Sequence, residues 1–258
     1  MNIFTKTLLV SAMALAATGA AEARIQAIGD ATADGSELLL NVWNSTAQNS
    51  YTLDLGITIA QFLANPSQTL SININNSDFA SFQNAFTVGN AVTWGVFGGH
   101  GVLAVEADQP IYGFYTTATS APASFDTNSA DISNTMGKWN GLVGDIQTLG
   151  VNSNNHSTFR TVGNGGYTGE FGNDFQTALP FTAQGNLSDS LIFVHEMVSA
   201  SDFDTGELVT FANSWNINLA SGTLTYAPSA VPVPAAVWMF GAGLMGVLRL
   251  NRRKSMAA

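Results

Sequence analysis

Residues 36–43, SELLLNVW, and 50–59, SYTLDLGITI, decide the fold class. In the second run Tyr51, Leu53, Leu55 and Ile57 alternate with Thr52, Asp54, Gly56 and Thr58. That two-residue period belongs to a strand with one face on a core and one toward water. The first run has the same apolar make-up and reads as a strand as well.

Similar short apolar runs recur outward from this pair. Residues 91–97, 111–117 (IYGFYTT), 190–198 and 208–211 read as strands. Residues 215–219 and 223–226 flank Ala220-Ser221-Gly222, the pattern of a terminal hairpin. Two stretches have helical spacing instead. Phe79, Phe82 and Phe86 fall at i, i+3 and i+7 within 78–86, and 131–149 carries a longer pattern weakened by Gly137, Gly141 and Gly144. Many short strands and few helices predict a mainly β chain, a single β-sandwich or jelly-roll-like domain with one or two short helices. No internal repeat is evident, and the only linker-like stretch is 225–234.

Hydrophobic residues make up 46% of the 258, enough to build a core, so wholesale disorder is not expected. Only 10% are charged, the net charge is −10 and the pI is near 4.4. Lys6 and Arg24 lie near the start and four more basic residues near the finish, so between them only Lys138 and Arg160 are basic. A body so acidic lacks the clustered Lys and Arg that neutralise phosphates, which argues against nucleic acid and against anionic lipid as partners. The absence of cysteine removes disulfides, thiolate metal sites and Cys nucleophiles together.

The two ends carry targeting patterns. Lys6 supplies a positive n-region, 7–19 (TLLVSAMALAATG) an apolar h-region, and Ala21-Glu22-Ala23 an A-x-A cleavage site. The expected divisions are a signal peptide over 1–23, an exported β-rich domain over 24–230 and a sorting or anchor segment over 231–258. That last segment opens with Val231, Pro232, Val233, Pro234 and Ala235, and the prolines separate the domain from an apolar helix. From Ala235 to Leu248 the run has fourteen residues, about 21 Å at ~1.5 Å per residue, short for a ~30 Å hydrocarbon core. Arg249, Arg252, Arg253 and Lys254 follow and would stay cytoplasmic. Both ends therefore ask for one topology, body outside and tail inside.

This Pro motif, apolar helix and basic tail resemble the PEP-CTERM class of C-terminal sorting signals, in a form similar to its VPLPA-type variant. The resemblance covers about a tenth of the chain. It implies recognition and removal of the tail by an exosortase, a membrane-embedded Cys transpeptidase, in a Gram-negative bacterium that makes exopolysaccharide or biofilm. The partners it implies are the general secretion machinery, the exosortase, the inner membrane through the C-terminal helix before processing, and exopolysaccharide. The final location would be the cell surface or beyond. Val233 stands where the PEP form has Glu, so the exosortase subtype stays open. The stretch 35–58 also resembles the opening of an uncharacterised group of exosortase substrates, which implies a shared β domain and brings no catalytic residues.

Signatures of chemistry are sparse. There is no G-x-S-x-G elbow, H-E-x-x-H helix, Walker loop or dinucleotide fingerprint. His100 sits in Gly98-Gly99-His100-Gly101, which reads as a turn; His156 lies in a polar loop; His195-Glu196 closes an apolar run. Asp202, Asp204 and Glu207 alternate before a strand as Ca²⁺ ligands do, but the remaining oxygens of an EF-hand-like loop are missing, and an acidic turn fits as well. Trp43, Trp94, Trp139 and Trp215 are candidates for stacking on sugar rings or for the core. These residues favour a non-enzymatic exported surface or matrix protein, with no catalytic residues and no required cofactor. The alternatives are a secreted polysaccharide hydrolase, using carboxylates such as Glu170, Asp174, Glu196 or Asp202, and a Ca²⁺-dependent, lectin-like adhesin.

Overall fold

The structure is a computed structural model that describes residues 35–101, 112–121, 129–148, 157–169, 183–197 and 206–228. The two terminal stretches expected to carry targeting signals, 1–23 and 231–258, lie outside the described residues, as do His156, Glu170, Asp174, Asp202 and Asp204. In chain order the elements are β1 (Glu37–Asn44), β2 (Asn49–Thr58), α1 (Ile59–Ala64), β3 (Leu70–Asn73), α2 (Ser77–Asn84), β4 (Val92–His100) and β5 (Gly113–Ala118). Then follow α3 (Ser129–Thr148), β6 (Ser157–Thr161), β7 (Gly185–Asn186), β8 (Leu191–Met197), β9 (Glu207–Asn218) and β10 (Thr223–Pro228). The chain is mainly β, as the alternation predicts.

The strands join in one sheet in the order β3-β10-β9-β8-β5-β4-β1-β2-β6, with β7 added to β4. The register-resolved pairings, from Leu40↔Leu53 in the first hairpin to Tyr115↔His195 further along, are antiparallel. The sheet curls. Tyr51, in the strand next to one edge, donates its hydroxyl proton to the Ile74 carbonyl just past the strand at the other edge, at 3.1 Å. Leu40 and Val42 of β1, Tyr51 and Leu53 of β2, Trp215 of β9 and Tyr226 of β10 meet in one core, with Phe79 and Phe82 of α2. In place of the two sheets expected of a sandwich, the described strands form one curled antiparallel sheet around this core. Such curling is how a sheet of this many strands covers its own apolar face.

The short helix α2 forms where Asn76 caps it, its side-chain oxygen accepting from the Phe79 amide at 2.9 Å. Phe79 and Phe82 then enter the core one turn apart, as their spacing predicts. Helix α3 lies on the opposite face of the sheet. Its Ile132, Met136, Trp139, Val143 and Ile146 form one stripe that packs on Leu39, Phe97 and Phe114. Gly141 and Gly144 lie off that stripe with open space around them, so their cost is in helix propensity and not in packing.

One expectation fails in an informative way. The polar members of the β2 alternation were to face water, yet Thr52 and Asp54 are as deeply buried as Tyr51 and Leu53. Strand β2 is covered on both faces, one apolar and one polar.

Candidate binding face of the sheet

Register places the polar side chains in rows. Asn41 of β1 pairs with Thr52 of β2, and Thr52 with Thr158 of β6. Two residues along, Trp43 pairs with Ser50 and Ser50 with Arg160, while Trp43 pairs on its other side with Thr93 of β4. Their neighbours Leu40, Val42, Tyr51, Leu53 and Phe159 belong to the apolar core, so strand alternation puts these polar residues together on the other face. This is the face that α3 covers further along, where Leu39 and Phe97 sit. It is thus divided, with an apolar half under the helix and a polar half beside it.

A second layer closes over the polar half. Trp43 donates its Nε1 proton to the Tyr167 hydroxyl at 2.9 Å, and the Thr168 amide donates to Ser50 Oγ at 3.1 Å. Thr93 donates its hydroxyl proton to Gln184 Oε1 at 2.8 Å. Within the sheet itself, Thr52 donates across the β1–β2 pair to Asn41 Oδ1 at 2.8 Å. Ser50, Thr52, Asn41, Thr158 and Thr168 are all nearly solvent-free. Even so, Asn41 Nδ2, Thr158 Oγ1, Thr168 Oγ1 and Arg160 Nε have no hydrogen-bond partner. Each buried polar atom left unpaired costs about 1–3 kcal/mol. A fold that gathers several of them on one half-face has hydrogen-bonding capacity that its own chain leaves unused. The group is mostly neutral, with donors and hydroxyls in excess of acceptors, flanked by one half-buried indole and one phenol.

The histidines resolve differently. His100 ends a buried strand and does not sit in a turn, because the glycines before it are strand residues that let β4 pack closely on its neighbours; its ring stacks on Tyr112 at 5.2 Å. His195 stacks face to face on Tyr115, centroids 4.0 Å apart, and its Nε2 lies 3.1 Å from the Tyr112 carbonyl. Burial, with a smaller push from His100, lowers its pKa to about 4, against the opposing pull of that carbonyl. Glu196 projects to the opposite face, in the row of Phe114 under α3. Its carboxyl is solvent-free, neither oxygen has a hydrogen-bond partner, and burial pushes its pKa up to about 8. His195 and Glu196, adjacent in sequence, therefore cannot work on one substrate from one cleft.

Trp94, Trp139 and Trp215 are fully buried, which leaves Trp43 as the half-buried tryptophan of the four. Glu207, of the carboxylate trio read as a Ca²⁺ candidate, opens β9 with its side chain exposed. Among the described residues no group of three or more His, Asp or Glu side chains is placed to hold a metal ion. Among the same residues no helix is long and apolar enough to cross a membrane. Sequence reading named Trp43 as one of four tryptophans and Arg160 as one of two basic residues of the body, without setting either apart, and missed Asn41, Thr52, Thr158, Tyr167 and Thr168. The one signal for them was the polar half of the strand alternation, which reads as solvent-facing unless something covers it. No family model matches the chain, and neither a curated protein nor a solved structure matches it.

Proposed function

We propose that this chain is an exported surface or extracellular-matrix protein of a Gram-negative bacterium, sorted by an exosortase and associated with exopolysaccharide. Its 24–230 domain, a jelly-roll-like sandwich made from one curled sheet, acts by binding and not by catalysis. The observation that carries the binding reading is the half-buried Trp43, whose indole edge is held by the Tyr167 hydroxyl while part of its ring stays exposed. Hydroxyl-rich polymers present apolar ring faces, and a part-exposed indole is a side chain on which such a face can stack. The opposed placement of His195 and Glu196 supports binding over acid–base chemistry at that pair.

The sorting part rests on the sequence of the tail. The general secretion machinery delivers the chain, the short apolar helix with its basic tail holds it in the inner membrane, and the exosortase acts near Val231–Ala235. Deleting 231–258 is the test. Release of the protein with altered processing is expected; unchanged surface retention would overturn the sorting claim.

A further inference from the structure

Two Asn-Gly pairs occur in the chain, Asn140-Gly141 and Asn164-Gly165. Such a pair is chemically labile, because a glycine amide carries no side chain to keep it away from the preceding carboxamide. The fold treats the two in opposite ways. Asn140 and Gly141 lie inside α3, where the helical ladder engages the Gly141 amide and holds the backbone away from the side chain. Asn164 and Gly165 lie in the exposed turn that follows the edge strand β6. Among the described residues the Gly165 amide donates no hydrogen bond, and a Cβ placed there would meet nothing within 4 Å. The turn is held by Asn164 itself. Its amide and its side-chain Nδ2 both donate to the Thr161 carbonyl, at 3.2 and 3.3 Å. Nδ2 also donates to Thr161 Oγ1 at 2.9 Å, and the Asn164 carbonyl accepts from the Tyr167 amide at 3.2 Å.

We propose that Asn164 is a site of spontaneous deamidation and isomerisation, and that its conversion loosens the Tyr167–Thr168 layer over Trp43. Water is the co-reactant. The Gly165 nitrogen gives its proton to base and bonds to Asn164 Cγ; the Cγ–Nδ2 bond breaks, and that nitrogen leaves as ammonia with a proton from water. Water then opens the resulting succinimide at either carbonyl and leaves aspartate or isoaspartate, with no change of oxidation state. Either product undoes the turn. A carboxylate has no proton to donate, so both Nδ2 bonds to Thr161 are lost and an anion faces the Thr161 carbonyl. Isoaspartate also carries the main chain through its side chain, and the added methylene displaces the carbonyl that the Tyr167 amide uses. Tyr167 stands three residues on; its hydroxyl takes the Trp43 Nε1 proton, and the next amide, of Thr168, reaches Ser50 Oγ. The site stands on the geometry of this turn and is independent of what the domain binds or where the chain is delivered.

The full-length chain is kept in warm, mildly alkaline buffer and sampled by peptide mapping with mass spectrometry, beside Gly165→Ala. Gly165 has no left-handed φ and open space around it, so alanine fits the turn while its methyl group crowds the attacking nitrogen. Asn164 should convert to a mixture of aspartate and isoaspartate while Asn140 stays intact. Gly165→Ala should slow that conversion roughly tenfold. Hydrogen exchange at the Trp43 indole N–H, read by NMR, should quicken in the aged parent and stay unchanged in the aged Gly165→Ala variant. Asn164 left intact, or Asn140 converting as fast, would overturn the site. Conversion of Asn164 with unchanged exchange at Trp43 would overturn its coupling to the layer.

Discussion

The Trp43 indole donates to the Tyr167 hydroxyl across 124 residues of sequence, tying the first strand to the turn that roofs the polar half-face. The bond holds the indole edge-on to the polar layer, with its Nε1 occupied and part of the ring still exposed. Tyr167→Phe removes the acceptor while keeping the ring. It should lower stability by about 1 kcal/mol, read as a shifted urea midpoint with unchanged m. An unshifted midpoint would mean that the roof is held by the Thr168–Ser50 contact alone.

Glu196 makes stability fall as pH rises. An unfolded glutamate titrates near 4.5, while in the fold this one keeps its proton up to about 8. The folded state binds more protons at Glu196 across that window, so the contribution of this group to stability declines from pH 4.5 to 8 and then levels off. Glu196→Gln carries no titration and should be more stable than the parent at pH 8.5 by several degrees in Tm, with little difference at pH 5. Parallel Tm profiles for the two would contradict the buried, unpartnered carboxyl.

His195 acts in the opposite direction. Its pKa drops from 6.5 unfolded to about 4 in the fold, so the unfolded state binds more protons between those values. The contribution of this group is fully present above pH 6.5 and is lost as pH falls toward 4. His195→Phe keeps the stack on Tyr115 and gives up the contact with the Tyr112 carbonyl. It should flatten this limb of the pH profile, measured against the parent by thermal melts between pH 4 and 7.

Asn76 joins three elements. Its oxygen caps α2, its Nδ2 donates to the Tyr51 hydroxyl at 2.8 Å, and that hydroxyl reaches the Ile74 carbonyl. Asn76→Ala loses both the cap and the bridge that closes the curled sheet, and should cost about 2 kcal/mol by urea unfolding. Asn76→Asp keeps the cap and loses only the donor to Tyr51, so it should cost less.

Much of the fold was legible because periodicity is a local signal. The runs at 36–43 and 50–59 became β1 and β2 within one or two residues, and 78–86 and 131–149 became α2 and α3. The misses have physical causes. Ile57 to Ile59 reads as strand throughout, but Thr58 and Gln61 form a capping box that turns the chain into α1 at Ile59. Strands β3, β6 and β7 are too short to show a period, and β6 exists because β2 offers it an edge. The site was less legible still. Thr52 and Asn41 look like solvent-facing strand residues, and their burial depends on Tyr167, Thr168 and Gln184, more than a hundred residues away. No local pattern encodes that cover.

The central claim concerns destination and processing, and mass spectrometry of the mature protein's two termini tests it most directly. Recovered from cell-surface and extracellular fractions, the chain should begin near Arg24 and end in the neighbourhood of Val231–Ala235, without Arg252, Arg253 and Lys254. A chain recovered from inside the cell with Met1 and Ala258 both in place would contradict the account.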